Sequence, residues 1–189
     1  MTQKSLYECL HEYPIIAAVK NEESLKKSLE SDSKIVFVLF GSINNIGEIV
    51  SALKSRGKIV FVHADLIDGL ANREASIDFL KNHTSLDGII STKIPLIKHA
   101  KQIGLFTVMR FFMIDSRAME STRHNEISQN SDLIEVLPGL MPKIIRQVAN
   151  STKTPIIAGG LISDKEDVVT ALSSGAVAIS STNEKVWFY

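Results

Sequence analysis

Two segments near the end of the chain combine apolar runs with small residues in a pattern that suits a phosphate group. Residues 155–160 have the sequence PIIAGG, and residues 176–182, about one helix length later, have the sequence AVAISST. Paired glycines let the backbone approach an anion without an intervening Cβ, and the loops after the last two strands of a parallel barrel commonly present N–H groups to phosphate. A short helix that begins near Asn183 would add a positive dipole end. The predicted phosphate-binding residues are Gly159, Gly160, Ser180, Ser181 and Thr182.

Three basic residues follow predicted strands and could converge on the same anion. Lys20, Lys93 and Arg110 stand at or just after apolar runs. Arginine binds phosphate through two parallel hydrogen bonds, whereas lysine acts as a point charge. The alternative for each is a solvated charge at the rim or an ion pair with Asp65 or Glu135. We expect Lys93 and Arg110 to bind the phosphate, and Lys20 to bind hydroxyl groups of the same ligand.

A histidine and two carboxylates could complete the site. His63 and Asp65 stand two residues apart at a predicted strand end and would point the same way. They could bind ligand hydroxyls, act as an acid–base pair, form half of a metal site or serve structure alone. Because the sequence holds no complete metal-ligand pattern, we predict hydroxyl binding and no metal. Glu135, inside an apolar run, either accepts hydrogen bonds from a polyol, which we favour, or points outward to a helix lysine.

Eight apolar runs alternate with helical patterns, and these elements must position the polar residues. The predicted strands cover residues 15–19, 34–40, 58–64, 88–92, 106–111, 133–137, 155–159 and 176–180. The predicted helices cover residues 5–12, 21–29, 45–55, 73–82, 94–103, 116–129, 142–149 and 164–174. Continuous apolar runs are typical of parallel strands covered on both faces. The pattern predicts an α/β fold, a compact (β/α)8 TIM barrel whose bottom is covered by the first helix, with a doubly wound open sheet as the alternative. We expect a truncated last helix, because only residues 184–189 remain for it.

The composition fits a single domain over residues 1–189. The hydrophobic content is 44%, and 21 basic residues balance 21 acidic ones to a formal charge of zero. A neutral chain has no global basic footprint for nucleic acid.

Two local stretches are basic: one contains Arg117, Arg123 and His124, and the other surrounds Lys98. Either could contact RNA phosphates, although a solvated helix face is the favoured explanation. With one cysteine, no signal peptide and no membrane span, we expect a cytoplasmic protein, and we leave self-association into a homo-oligomer open.

Six runs of residues, spread in order along nearly the whole chain, resemble the glycerol-3-phosphate-responsive antiterminator family. They cover residues 14–20, 62–69, 87–93, 110–116, 134–139 and 155–162. Met109 departs from this resemblance, because the family pattern has a glutamine before the arginine. The departure concerns one polar contact at that position.

The resemblance implies a TIM-barrel regulator that senses glycerol 3-phosphate and binds a leader mRNA. Binding to the leader would prevent premature transcription termination in a glycerol operon. On this interpretation the protein is not an enzyme and needs no cofactor, and glycerol 3-phosphate is its effector. The glycerol hydroxyls would be bound by His63, Asp65, Glu135 and Lys20. The alternatives are a phosphorylated-metabolite enzyme on the same barrel (a sugar-phosphate isomerase, aldolase or phosphodiesterase) and a metabolite-binding scaffold. The polar segment 115–132 is the predicted moving element.

Overall fold

Eight short strands of β-branched and small residues close into a parallel barrel in the computed structural model, which describes residues 2–189. The strands are β1 (Ile15–Val19), β2 (Ile35–Val38), β3 (Ile59–His63), β4 (Gly88–Ser91), β5 (Phe106–Phe112), β6 (Leu133–Leu137), β7 (Ile156–Gly159) and β8 (Ala178–Ser181). Each strand pairs with the next along the chain, and β1 also pairs with β8, so the sheet has no free edge. The closed order confirms the predicted barrel and excludes the open sheet.

Helices connect the strands and cover the outside of the barrel. They are α1 (Gln3–Glu12), α2 (Glu22–Glu30), α3 (Ile46–Ser55), α4 (Glu74–His83), α5 (Ile94–Gln102), α6 (Ser116–Ser121), α7 (Asn125–Asn130), α8 (Pro142–Ala149) and α9 (Lys165–Ser173). Local sequence explains several starts: Thr2 and Asn21 form capping boxes, and Pro142 occupies a first turn, where its missing N–H costs nothing. The longest helices have 10 residues, and within residues 2–189 none is long and apolar enough to cross a membrane.

The strand side chains alternate between the barrel interior and the layer under the helices. The interior holds apolar residues such as Phe37 and Phe61, whose rings meet edge to face, and α1 buries Leu6 and Leu10 against its lower end. The outward positions, such as Val36 and Ile89, pack under the helices. This period of two decides which polar residues near the strand ends can face a ligand.

A buried carboxylate organises the N-terminal end of the barrel. Asp132, which immediately precedes β6, is 1% exposed. Its Oδ1 accepts from Gln3 Nε2 of α1 (3.1 Å) and Lys101 Nζ (2.5 Å). Its Oδ2 accepts from the backbone N–H and the hydroxyl of Thr107 in β5, at 3.0 and 3.1 Å. These four hydrogen bonds join α1, β5 and β6, and they occupy both carboxylate oxygens.

Two sequence-based predictions about the helices have different outcomes. The predicted helix over residues 116–129 is two short helices, because the backbone tightens around Thr122 and His124 then adopts an extended conformation (φ −63°, ψ 131°) before α7. The truncated last helix is confirmed as a 3₁₀ helix, Glu184–Phe188, whose N-cap Asn183 accepts from Lys185 N. It buries Trp187, whose indole N–H donates to the carbonyl oxygen of Ser181 at 2.7 Å.

Candidate functional site

Four polar side chains form an inward-facing layer at the C-terminal end of the barrel. His63, Arg110, Glu135 and Ser180 occupy the same parity as the interior apolar residues of β3, β5, β6 and β8, and all four are buried. A cavity of about 70 Å³ opens beside three of them, Arg110, Glu135 and Ser180. We call it the mouth cavity; its lining residues are Ala18, Leu39, Arg110, Glu135, Leu137, Gly160, Ser180 and Thr182.

A buried ion pair crosses from β5 to β6 in this layer. Arg110 Nε donates to Glu135 Oε2 at 2.5 Å, with the arginine side chain 8% exposed and the glutamate side chain fully buried. Ser180 Oγ donates to the other carboxylate oxygen, Oε1, also at 2.5 Å. Removing both charges from water is costly, so this pair is weak evidence for stability and better evidence for a function. Two of the sequence-predicted phosphate residues therefore converge on Glu135.

The Arg110 guanidinium has N–H donors that are not hydrogen-bonded to the protein. Only its Nε has a protein acceptor among residues 2–189, and the Nη groups find none in that part of the chain. Because Arg110 lines the mouth cavity, these donors are available to an anion there. Two parallel N–H groups of a guanidinium match two phosphate oxygens.

The close approach of β6, β7 and β8 requires a glycine at position 159. A Cβ there would lie 2.5 Å from Ser180 Oγ and 2.7 Å from Glu135 Oε1, closer than any carbon tolerates. Gly159 thus makes room for the buried carboxylate, which is a different role from the direct phosphate contact that its sequence pattern predicts.

The loops after β7 and β8 leave backbone N–H groups without protein acceptors beside the mouth cavity. Gly160 and Leu161 have consecutive positive φ angles of 76° and 65°, the second in a residue for which that conformation is strained. Within residues 2–189, the backbone N–H groups of Gly160, Leu161 and Thr182 have no protein acceptor. Gly160 and Thr182 line the cavity, so the predicted N–H contribution to an anion site is geometrically open at these two residues.

Ser181 faces away from the cavity. It follows Ser180 by one residue, and its hydroxyl therefore lies on the outer face of β8. That hydroxyl donates to the carbonyl oxygen of Ile162 at 2.8 Å and accepts from Asn183 N at 3.0 Å. The structure thus uses Ser181 to hold the β7–α9 and β8 loops together, away from the predicted phosphate.

Asp65 is engaged by the neighbouring loop. Its carboxylate accepts from Ser91 Oγ (2.6 Å), Thr92 N (2.8 Å) and Thr92 Oγ1 (2.7 Å). Partial burial alone would raise the pKa of Asp65, but these hydrogen bonds outweigh it and the pKa is lowered. Asp65 lies in a 3₁₀ turn, Ala64–Leu66, and does not continue the strand direction of His63. Its carboxylate shapes the end of β4 and keeps little capacity for a ligand.

His63 is the least satisfied polar side chain of the layer. It is 3% exposed, and its Nδ1 has no hydrogen-bond partner. Burial, followed by the positive charge of Arg110, lowers the pKa of His63 to about 4. The imidazole is therefore neutral at pH 7 and offers one donor and one acceptor beside the guanidinium.

The two predicted lysines lie on opposite sides of the barrel. Lys20 directly follows β1, which pairs with β8, whereas Lys93 precedes α5 after β4, the strand diametrically opposite β8 in an eight-stranded barrel. Both are exposed, and neither forms an ion pair within residues 2–189. The strand order thus brings Lys20 nearer than Lys93 to the loops after β7 and β8, the reverse of the roles expected from sequence.

The sequence analysis missed the apolar residues that line the mouth cavity. Leu137 lies two residues beyond Glu135 on β6, Ala18 is in β1, and Leu39 directly follows β2. The period of two, counted from Glu135, would have identified Leu137.

Met109, where the family resemblance fails, is buried under the helices on the outer face of β5, so it makes no contact with the cavity. Residues 2–189 contain no group of three or more side chains able to hold a metal ion.

Comparison with known proteins agrees with the fold and identifies relatives. The family model for the glycerol-3-phosphate responsive antiterminator matches residues 15–187. The Escherichia coli K12 protein YgcP, described as uncharacterized, is 42% identical over 96% of this chain and 95% of its own.

Two solved structures share both sequence and fold. The glycerol uptake operon antiterminator regulatory protein of Listeria monocytogenes is 37% identical, with a TM-score of 0.86 over 92% of this chain and 94% of its own. A glycerol uptake operon antiterminator-related protein of Thermotoga maritima is 35% identical, with a TM-score of 0.80 over 92% and 96% of the two chains.

Proposed function

Because this chain belongs to the glycerol-3-phosphate responsive antiterminator family, we propose that it is a regulator that binds glycerol 3-phosphate in the mouth cavity. In the liganded form it binds the leader mRNA of a glycerol operon and prevents premature termination of transcription. We place this activity in the cytoplasm, where the transcript is made. The effector is the only small molecule that the proposal requires.

The observation that carries the proposal is the unused half of the Arg110 guanidinium. Arg110 lines a cavity that is also lined by Gly160 and Thr182, whose backbone N–H groups have no protein acceptor within residues 2–189. Three kinds of donor, arriving from β5, β7 and β8, suit the tetrahedral array of oxygens on a phosphate monoester. Lys20 supplies a further positive charge from the β1 side.

The remaining polar groups suit the glycerol part of the ligand. Neutral His63 can accept a hydrogen bond from one hydroxyl, and the second lone pairs of Glu135 can accept from another. A site whose buried polar groups need those hydroxyls would discriminate against inorganic phosphate, because phosphate alone leaves them unpaired. Glycerol alone would lack the anion that Arg110 requires.

The buried ion pair offers a route from the ligand to the surface. Arg110 is in β5 and Glu135 in β6, and the segment that connects these strands contains α6 and α7. A phosphate that binds the Nη groups adds a second anion to the guanidinium that Glu135 already holds through Nε, so it changes the ion pair that ties both ends of that connection. Only a ligand that binds one arrangement better than the other can shift RNA affinity.

The test is a titration of the purified protein with glycerol-operon leader RNA, with and without glycerol 3-phosphate, while calorimetry measures metabolite binding directly. Glycerol and inorganic phosphate are the ligand controls, and a scrambled leader is the RNA control. We expect glycerol 3-phosphate alone to strengthen leader binding, by about tenfold or more. Metabolite binding with no RNA binding under any condition would contradict the regulator and favour the enzyme or scaffold.

A second candidate, an enzyme that acts on a phosphorylated metabolite, is favoured by one observation. The buried imidazole of His63 is neutral at pH 7, so it offers a substrate one hydrogen-bond donor and one proton-accepting nitrogen. A turnover screen with sugar and polyol phosphates separates the candidates. Turnover that is abolished by His63→Gln would establish catalysis, whereas binding without turnover agrees with the regulator.

A further inference from the structure

A second cavity lies outside the mouth, toward the N-terminal end of the barrel. It has a volume of about 240 Å³ and lies where the α6–α7 connection meets the loop between α8 and β7. We call it the Arg123–Lys153 groove. Its lining residues are Thr122, Arg123, Ser128, Ser151, Thr152 and Lys153.

The chemistry of this groove is that of a phosphodiester site. It contains two cations and four hydroxyls, and no carboxylate lines it. Arg123 and Lys153 are exposed, and within residues 2–189 neither forms an ion pair. Thr152 Oγ1 accepts from Thr154 N, so its own proton is available to donate to an anion. The Ser151 hydroxyl donates to the carbonyl oxygen of Val148 at 2.9 Å, so the donor hydroxyl that we assign to an anion is that of Thr152.

The rim of the mouth, unlike the lining of the groove, includes acidic side chains. The helix α9, after β7, begins with the N-cap Asp164 and then Glu166 and Asp167, and α2, after β1, begins with Glu22 and Glu23. Glu23 is paired with Lys27, and the exposed Lys20 and Lys93 lie at the same end of the barrel, so the rim has mixed charge whereas the groove lining has cations alone. Because the formal charge of the chain is zero, RNA binding depends on a local cationic surface, and the groove supplies one away from these acids.

From these features we propose that the Arg123–Lys153 groove binds the phosphodiester backbone of RNA. The inference rests on the proposed function for the choice of RNA as the partner, and it adds the contact surface. Arg123 and Lys153 contact phosphates, while the Thr152 hydroxyl donates to a phosphate or 2′-OH oxygen.

The groove is also connected to the effector site through the chain. Arg123 lies in the segment between Arg110 on β5 and Glu135 on β6. A ligand that draws Arg110 toward its phosphate changes the ion pair that ties the two ends of this segment together. The position of Arg123 in the groove is thereby linked to occupancy of the mouth.

The test compares the full-length double variant Arg123→Gln/Lys153→Gln with the native protein in leader RNA titrations at several salt concentrations, with glycerol 3-phosphate present. The matched control is Lys26→Gln/Arg56→Gln, which removes two exposed cations from the α2–α3 side and changes the net charge equally. We expect the groove variant to bind RNA about 10- to 100-fold more weakly, with a salt slope shallower by about 1.4 for two lost phosphate contacts. The control should match the native protein, and all three should bind glycerol 3-phosphate alike.

The outcomes distinguish the two proposals. If the native protein binds RNA and the groove variant shows the same affinity and salt slope, the groove proposal is wrong and the proposed function stands. If the native protein binds glycerol 3-phosphate but no RNA, both proposals are wrong. Ultraviolet crosslinking of RNA to the native protein gives a measurement independent of any variant: crosslinks in residues 122–128 or 151–153 support the groove, and crosslinks confined to the mouth rim contradict it.

Discussion

Two buried carboxylates three residues apart, one immediately before β6 and one inside it, differ in how many hydrogen bonds the protein gives them. Asp132, at the N-terminal end of the barrel, accepts four hydrogen bonds that involve both of its oxygens. Glu135, at the C-terminal end, accepts two, one from Arg110 and one from Ser180. Both side chains are fully buried, so burial does not separate them. The two carboxylates differ instead in whether protein donors complete their hydrogen-bonding networks.

A closed network holds a fold together, whereas an open one keeps donors and acceptors for a ligand. Around Asp132, every partner comes from the protein: α1, α5 and β5 each supply at least one donor. Around Glu135, the Arg110 Nη groups, His63 Nδ1 and the N–H groups after β7 and β8 remain unused by residues 2–189. We therefore expect substitutions at the closed end to change stability, and substitutions at the open end to change ligand affinity.

The largest expected effect is a loss of stability on substitution of Asp132, at the N-terminal end of the barrel. Asp132→Ala should lower the free energy of unfolding by about 3 to 5 kcal/mol, because it leaves the buried Thr107 N–H without an acceptor and Lys101 without its partner. Urea denaturation measures this change, with Asp132→Asn as the shape-preserving control and a smaller expected loss. A decrease below about 1 kcal/mol would show that the four hydrogen bonds do not stabilise the barrel.

The second prediction concerns the contribution of His63, at the C-terminal end of the barrel, to the pH dependence of stability. His63 has a folded pKa of about 4, below its ordinary 6.5, so the unfolded chain binds more protons between these pH values. Stability should therefore fall as the pH decreases from 6.5 to 4, and His63 should contribute about 3 kcal/mol to that decrease. The low pKa of Asp65 has its effect at still lower pH, below its unfolded value of 3.8.

Unfolding measured at pH 7 and pH 4.5 tests this contribution. His63→Gln should lose much less stability over that interval than the native protein does. His11→Gln, which changes an exposed histidine, is the matched control and should behave like the native protein. Parallel pH curves for the native and His63→Gln proteins would mean that His63 does not titrate in this range.

The third prediction isolates the guanidinium. Arg110→Lys keeps a positive charge for Glu135 but cannot also present two parallel N–H groups to a phosphate. We expect the affinity for glycerol 3-phosphate to fall by about 30-fold, with stability within about 1 kcal/mol of the native value. Calorimetric titration measures the affinity. Unchanged affinity would exclude Arg110 from the site and leave its pairing with Glu135 as its only role.

The smallest expected effect is on glycerol 3-phosphate affinity when Lys20 or Lys93 is replaced, and it tests which strands lie nearest the phosphate. Because Lys20 follows β1 beside β8 and Lys93 follows the opposite strand β4, Lys20→Gln should weaken glycerol 3-phosphate binding by about fivefold. Lys93→Gln should change it by less than about twofold, since screening weakens its field across the barrel. Each variant serves as the control for the other. A larger effect at Lys93 would place the phosphate on the β4 side.

The sequence was sufficient to predict most of the barrel. Strands β1 and β6 begin and end where their apolar runs do, and five other predicted strands overlap the observed ones with shifts of one or two residues. The last strand begins two residues later than predicted, at Ala178, because the apolar run includes residues of the preceding loop. Only the predicted helix over 116–129 broke into two, since nothing in its composition marks the tightened turn near Thr122.

For the site, the sequence identified the residue types and the strand ends but not their directions. Glycines, hydroxyls and basic residues after apolar runs pointed to a mouth with anion-binding chemistry, because residue type alone fixes which groups can donate to a phosphate. Only the tertiary structure decided that Ser180 points inward and Ser181 outward, that Asp65 is occupied by Ser91 and Thr92, and that Gly159 makes room for Glu135. Those assignments depend on strand register and on contacts between strands far apart in the chain, and neither is encoded in a local pattern.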